Sequence, residues 1–262
     1  MSRARVRDIE MAFDVAGEGL PVVLLHGFPF NRSMWREQAE ALRASYQIIT
    51  PDLRGQGESE LSGTATMALM ASDVAALMDE LKIERAIVGG LSMGGYVTLA
   101  FYHLFPERVR ALVLADTKAQ ADTDEARELR EQQALKILSE GMRSIADAML
   151  PKLLATETLD ERPETVARVR EMILSTKPEG AAAALRGMAV REDRRDLLSQ
   201  IDVPTLVIVG SEDAITPPEV SRAMHREIRG ARLEVIAGAA HVSNLERPSE
   251  FNRALQTFLE CL

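Results

Sequence analysis

The chain has 262 residues, of which 46% are hydrophobic, and this length suits either one large α/β domain or two smaller domains. Its 31 basic and 40 acidic residues give a net charge of −9, which opposes non-specific binding to nucleic acid or to anionic membranes. The single cysteine, Cys261, excludes an internal disulfide framework and a cysteine-based metal cluster. Because the net charge is negative, we expect no nucleic-acid partner.

The N-terminal segment, residues 1–19, alternates apolar and charged positions and predicts a pair of strands. It lacks the continuous apolar run of a signal peptide. No stretch of the chain approaches the roughly 18 consecutive apolar residues of a membrane span. From these observations we expect a soluble, cytoplasmic protein without a membrane partner.

Short apolar runs rich in Val, Ile and Leu recur along the chain, and the segments between them carry apolar residues at helical spacing. Most of the runs lack alternation, which is typical of strands buried on both faces of a parallel sheet. The predicted strands are 21–27, 46–52, 85–92, 110–116, 205–213 and 232–241, and the predicted helices are 32–44, 66–82, 94–105, 216–229 and 248–260. This order predicts an α/β fold with an open, doubly wound and mostly parallel sheet.

Residues 117–200 interrupt the alternation, because they contain several amphipathic helical stretches and no strand-like run. The predicted breaks between these helices are Gly141, Pro151, Pro163 and Pro178. We therefore divide the chain into a core domain, residues 1–116 and 201–262, and a helical insertion, residues 117–200.

Parallel α/β sheets bind ligands beyond the carboxyl ends of their strands, so polar residues at those ends are the first candidates for a site. Ser92 follows one predicted strand within Gly90-Leu91-Ser92-Met93-Gly94, which has the form G-x-S-x-G and leads into a helix. Such a turn exposes the serine hydroxyl, and flanking glycines avoid collisions with nearby backbone. The Met93 amide then lies at a helix N-terminus, where it can stabilise a developing oxyanion. Ser92 is accordingly the predicted nucleophile.

A nucleophilic serine needs a base to remove its proton and a carboxylate to orient that base. His241 follows the last predicted strand, and Asp213 ends the strand before it. The chain order Ser92, Asp213, His241 is the order nucleophile, acid, base of α/β-hydrolases. Asp116 also ends a strand and is the alternative acid, which this order disfavours. We assign structural roles to the remaining histidines, His26, His103 and His225.

The same glycines fit neither of two phosphate-binding patterns. A P-loop requires Lys and then Ser or Thr where Gly95 and Tyr96 stand, and no G-x-G-x-x-G motif follows a predicted strand. The four histidines are scattered and form no H-E-x-x-H pattern. We expect neither a cofactor nor a metal site.

Taken together, these motifs resemble those of the α/β-hydrolase superfamily. The blocks that carry the resemblance follow the family's order: HGFP at 26–29, DLRGQGES at 52–59, GLSMGG at 90–95, GSEDAITP at 210–217 and AAHVSNLERP at 239–248. The resemblance implies that the Phe28 amide is a second oxyanion donor beside Met93, and that residues 117–200 form a cap over the active site. Within the superfamily, the chain is most similar to cap-bearing esterases, enol-lactone hydrolases and cofactor-free haloperoxidases.

The expected function is hydrolysis of a small carboxylic ester or lactone through an acyl-enzyme. We expect a mainly apolar pocket, suited to an uncharged acyl group and built from residues of the cap together with Phe28, Phe30, Trp35, Met93 and Tyr96. Arg186 and Arg191 are candidates for receiving a carboxylate-bearing substrate instead. Carbon–carbon bond hydrolysis, perhydrolysis and a non-catalytic ligand receptor stay open as alternatives, and so does homo-oligomer formation.

Overall fold

The computed structural model describes residues 2–262. Within them, eight strands form a single mixed sheet. Its strands are β1 Ser2–Val6, β2 Ile9–Ala16, β3 Leu20–Leu25, β4 Tyr46–Pro51, β5 Ala86–Leu91, β6 Val109–Ala115, β7 Thr205–Gly210 and β8 Arg232–Ile236. The order across the sheet is β1-β2-β4-β3-β5-β6-β7-β8, with antiparallel pairing for β1–β2 and β2–β4 and parallel pairing elsewhere. The predicted doubly wound, mostly parallel sheet is confirmed, and β1 and β2 are the predicted N-terminal strand pair.

Helices connect the strands and pack on the sheet, α2 against α3 and α1 against α12. In chain order the helices are α1 Arg36–Leu42, α2 Met67–Glu80, α3 Met93–Leu104, α4 Asp124–Glu140, α5 Arg143–Leu153, α6 Thr156–Glu161, α7 Pro163–Ser175, α8 Pro178–Ala189, α9 Arg195–Leu198, α10 Pro218–Glu227, α11 Ser243–Glu246 and α12 Pro248–Leu259. Short 3₁₀ helices occupy Arg32–Trp35 and Pro106–Arg108. Within residues 2–262, no helix combines the length and the apolar character that a membrane crossing requires.

The central strand β5 shows why the sheet lies inside the molecule. All of its residues are buried, and consecutive residues of a strand point to opposite faces, so both faces are covered here. The edge strand β8 is not buried on both faces, because it exposes Arg232, Glu234 and Val235. Its only partner in the sheet of residues 2–262 is β7. The core therefore lies around the middle strands, below the end at which the candidate residues are found.

The insertion between β6 and β7 contains helices α4 to α9, and no residue of 117–200 lies in a strand. Gly141 ends α4, Pro163 begins α7 and Pro178 begins α8, as predicted. The prediction that Pro151 separates two helices is wrong, since Pro151 lies in the last turn of α5. A proline so close to the end removes a single backbone donor and leaves the preceding turns intact.

Candidate active site

Ser92 forms the turn between β5 and α3 in a conformation that non-glycine residues seldom adopt. Its φ is 55° and its ψ is −113°. Its amide donates a hydrogen bond to the Ala115 carbonyl at 2.9 Å, and its carbonyl accepts one from the Thr117 hydroxyl at 2.8 Å. Although Ser92 is the N-cap residue of α3, its side chain makes no capping hydrogen bond. Hydrogen bonds to the main chain of Ser92 therefore hold this turn and leave its hydroxyl available to another partner.

The glycines around Ser92 are required by close approaches of the backbone. A Cβ at Gly94 would lie 2.1 Å from the carbonyl oxygen of Leu25, and a Cβ at Gly90 would lie 2.2 Å from the carbonyl carbon of Gly94. Both distances are far shorter than any carbon contact in a folded protein. A side chain at either position would displace the turn that presents the serine.

Ser92, His241 and Asp213 form a continuous chain of hydrogen bonds. The Nε2 of His241 lies 2.8 Å from the Oγ of Ser92, and its Nδ1 lies 2.8 Å from the Oδ2 of Asp213. His241 is 3% exposed and Asp213 is 2% exposed, so water does not compete for these bonds. With Nδ1–H donating to Asp213, Nε2 can accept the proton of the Ser92 hydroxyl.

The surroundings of Asp213 keep its carboxylate ionised. Its Oδ1 accepts hydrogen bonds from the amides of Ile215 and Thr216 at 2.8 Å and 2.9 Å, and its Oδ2 accepts one from the Thr216 hydroxyl at 2.6 Å. Burial alone would raise the pKa of Asp213, but the hydrogen bonds from His241 and Thr216 hold it below its ordinary value. β7 ends at Gly210, so Asp213 lies in the following loop and not in the strand as predicted.

Glu246 fixes the loop that carries His241, and sequence reasoning missed it. Its carboxylate accepts hydrogen bonds from the Ala240 amide at 2.7 Å and from the Ala155 amide at 2.8 Å. The His241 amide also donates to the carbonyl of Leu153, at 3.0 Å. Burial raises the pKa of Glu246. Core and insertion are thus joined directly beside the imidazole.

Asp116, the alternative acid, forms its hydrogen bonds with Gly210 and Ser243. Its Oδ1 accepts a hydrogen bond from the Gly210 amide at 2.9 Å, and its Oδ2 accepts one from the Ser243 hydroxyl at 2.6 Å. Burial and the nearby charge of Asp213 raise the pKa of Asp116 well above its ordinary value. Asp116 therefore links the end of β7 to the start of α11, while Asp213 is the carboxylate bonded to His241.

His26 positions the loop that contains Phe28. Its Nε2 accepts a hydrogen bond from the Leu53 amide at 2.9 Å, and its Nδ1 donates one to the Gly27 carbonyl at 2.9 Å. Burial lowers the pKa of His26, in keeping with a neutral ring that both donates and accepts. Phe28 lines the same cavity as Ser92. Met93 begins α3, so its amide lacks an acceptor inside the helix, and the two amides remain the predicted oxyanion donors.

A cavity of about 430 Å³ opens above Ser92 and His241. Tyr96 lies in its wall, as predicted. The assignment of Phe30 and Trp35 to the pocket is wrong, because both are fully buried in the core and neither lines this cavity. Trp35 packs instead against Phe251, with ring centroids 6.0 Å apart. The direction of an apolar side chain in a loop depends on packing partners that are distant in sequence, so apolar character alone did not identify the pocket.

The insertion supplies most of the apolar wall, although the sequence did not identify which of its residues do so. These residues are Ile145, Met149, Leu153, Leu185 and Met188. The first three recur at helical spacing along α5, so their shared face was readable once that helix was located.

The predicted cap arginines lie outside the cavity. Arg186 pairs with Glu131 on the surface, and Arg191 is buried against Asp122 with its guanidinium 4.3 Å from the centre of the Tyr96 ring. The basic residues that do line the cavity are Arg130, Lys136 and Lys152.

A family model described as alpha/beta hydrolase fold matches residues 21–248. A thermophilic esterase from Thermogutta terrifontis, solved with malate bound, is 43% identical, with a TM-score of 0.98 over 100% of this chain and 99% of that chain. The enol-lactonase from Burkholderia xenovorans LB400 is 32% identical, with a TM-score of 0.92 over 99% of this chain and 100% of that chain. The 3-oxoadipate enol-lactonase 2 of Acinetobacter baylyi is 30% identical over 88% of this chain and 85% of that protein.

Proposed function

Because this chain belongs to the α/β-hydrolase family, we propose that it is a serine hydrolase that cleaves a carboxylic ester or lactone of a small to medium-sized substrate. The observation that carries the proposal is the chain of hydrogen bonds from Ser92 through His241 to Asp213, with both contacts at 2.8 Å. The esterase and the enol-lactonases described above support this class of reaction.

In the proposed mechanism, Ser92 Oγ attacks the substrate carbonyl while His241 Nε2 takes the hydroxyl proton. Asp213 holds the imidazole through Nδ1 and stabilises the positive charge that develops on it. The amides of Phe28 and Met93 bind the oxygen of the tetrahedral intermediate, each worth about 3 kcal/mol. His241 then protonates the leaving alkoxide, and a water molecule activated by the same imidazole hydrolyses the acyl-enzyme.

The insertion, residues 117–200, acts as a cap in this proposal. The cavity lies between Ser92 and His241 on the core side and residues of α4, α5 and α8 on the other side. The apolar side chains of α5 and α8 exclude water from the reacting carbonyl, which strengthens the electrostatic contribution of the oxyanion donors.

Covalent labelling with a fluorophosphonate, followed by intact mass, tests the assignment of the nucleophile. We expect one adduct on the parent protein and none on Ser92→Ala. We also expect Ser92→Ala to lower kcat/KM for 4-nitrophenyl acetate by on the order of 10⁴-fold or more, because the nucleophile acts as a unit with its base. The control is Ser199→Ala, which removes an exposed serine at the end of α9 and should leave labelling and rate unchanged. A labelled Ser92→Ala protein, or one that keeps its rate within about tenfold, would contradict the proposal.

A further inference from the structure

The cavity above Ser92 has a wall in which the side chains with a permanent charge are all basic. Arg130, Lys136 and Lys152 line it, and no Asp or Glu among the lining residues of the described chain does so. The chain as a whole has 40 acidic and 31 basic residues. A wall of positive sign on a protein of negative net charge focuses positive potential on the ligand.

Lys136 and Lys152 are not neutralised by neighbouring carboxylates. Within residues 2–262, neither ammonium lies within 4.0 Å of a carboxylate oxygen. Acidic residues of the same two helices are paired elsewhere: Glu131 of α4 with Arg186 at 2.7 Å, and Asp147 of α5 with Arg170 at 2.8 Å. The two lysines therefore keep their charge available to a ligand.

Arg130 is the least available of the three cations, because its guanidinium already has partners within the protein. Its guanidinium pairs with Asp122, and its Nη1 lies 3.5 Å from the sulfur of Met188. Asp122 also pairs with Arg191 at 2.7 Å and has Lys118 at 4.0 Å. One carboxylate thus faces three cations, so this cluster adds to the positive potential without offering a free donor.

The rest of the cavity wall is suited to hydrocarbon. Ile145, Met149 and Leu185 are among its apolar side chains, and the reacting pair Ser92 and His241 lies in the same cavity. Such a wall accommodates a ligand with a neutral ester, a hydrocarbon spacer and a charged end that reaches the lysines. This arrangement departs from the uncharged acyl group that the sequence predicted.

We propose that the substrate carries a carboxylate, separated from the scissile ester by an apolar spacer, and that Lys136 and Lys152 bind this carboxylate. The inference rests on the proposed hydrolase function, because it names the substrate class of the same site. Both lysines are exposed, so their ammonium groups can contact a ligand without loss of a structural ion pair.

An isosteric pair of substrates isolates the charge. The monoethyl ester of adipic acid is compared with the ethyl ester of its half-amide, which has the same size and no charge, and the comparison is repeated with succinic, glutaric and suberic acids. We expect kcat/KM for the best anionic ester to exceed that of its neutral partner by about tenfold or more at low salt, as charge-assisted hydrogen bonds imply. Raising the salt to about 0.5 M should narrow this ratio by screening.

Variants assign the effect to the lysines. In the double variant Lys136→Gln/Lys152→Gln we expect the ratio of anionic to neutral kcat/KM to fall towards one. The control is Lys177→Gln, which removes an exposed lysine of the insertion that does not line the cavity, and it should keep the parent ratio.

Any other result contradicts either the proposed substrate class or the proposed hydrolase function. Equal kcat/KM for every anionic ester and its neutral partner, or a ratio unchanged in the double variant, overturns the assignment of the carboxylate. If the parent protein also fails to label at Ser92 and hydrolyses no ester, the proposed function falls with it. A protein that labels at Ser92 but shows no preference for the anion contradicts the substrate class alone.

Discussion

The backbone of Ser92 carries a strain that the residues around it maintain. Its φ of 55° is stable because the Ser92 amide, its carbonyl and the adjacent glycine contacts are all fixed by β3, β6 and Thr117. A relaxed N-cap serine turns its hydroxyl back onto the helix, whereas here it lies 2.8 Å from His241. The strained backbone conformation thus directs the Ser92 hydroxyl at the imidazole.

The two candidate acids can be separated by matched substitutions. Asp213→Asn replaces the acceptor of the His241 Nδ1–H, so we expect kcat to fall by on the order of 10⁴-fold through loss of the correct tautomer. Asp116→Asn changes a carboxyl group that bonds to Gly210 and Ser243, so we expect kcat to fall by less than about tenfold. Steady-state kinetics on 4-nitrophenyl acetate distinguishes the two, and a larger loss in Asp116→Asn would reverse the assignment of the acid.

At the scale of elements, the two ends of the insertion are fastened to each other beside the sheet. The amide of Arg194 donates to the Ala119 carbonyl at 2.8 Å, and Arg191 pairs with Asp122 at 2.7 Å. Asp122 also pairs with Arg130 of α4. Because the chain enters and leaves the insertion at one place, α4 to α9 can be added to the sheet without disturbing the order of its strands.

Asp122 makes the stability of the fold at this junction depend on pH. Burial alone would raise the pKa of Asp122, but hydrogen bonds from Arg191 and Arg130 lower it to about 2, from an ordinary value of 3.8. A carboxylate with a lowered pKa stabilises the fold above its ordinary pKa, and this contribution is lost as the pH falls towards the lowered value. The stabilisation is therefore complete at neutral pH and disappears in acid.

The variant Asp122→Asn tests this contribution. We expect it to lower the free energy of unfolding by about 3 kcal/mol at neutral pH, because three cations lose their common carboxylate. The difference from the parent should shrink between about pH 4 and about pH 2. Urea denaturation across this range checks the result, with Asp147→Asn, an exposed carboxylate of α5, as control. A difference that does not change with pH would contradict the assignment.

At the scale of the whole molecule, the central strand β5 is buried far more completely than helix α4 of the insertion. The residues of β5 are all buried and the strand is bonded to neighbours on both sides, β3 and β6. In α4, the buried residues are Ala134 and Ile137. Regions with few buried apolar contacts open without global unfolding, whereas central strands do not.

Hydrogen exchange followed by mass spectrometry should reproduce this difference. We expect amides of β5 to exchange only through global unfolding and amides of α4 to exchange at least about tenfold faster. The edge strand β8 serves as an internal reference for a strand that is bonded on one side within the described sheet. Equal protection of α4 and β5 would show that the insertion and the sheet unfold as one unit.

The sequence by itself determined the order of strands and helices, the place of the insertion and the three residues that the structure brings together at Ser92, His241 and Asp213. These features depend on apolar periodicity, glycine and chain order, which are local properties of the sequence. Their catalytic roles remain predictions. Strand ends were less accurate, because Asp213 and His241 lie in loops beyond β7 and β8, where the pairing of the strands has already stopped.

Only the tertiary structure decided which side chains form the cavity. Phe30 and Trp35 point into the core, while Ile145 and Met149 of the insertion reach the site. The bond of Glu246 to Ala155 and the place of Lys136 and Lys152 in the cavity wall also depend on contacts between segments far apart in the chain. The physical reason is that a helix or loop has several faces, and burial against distant partners selects the one that meets the ligand.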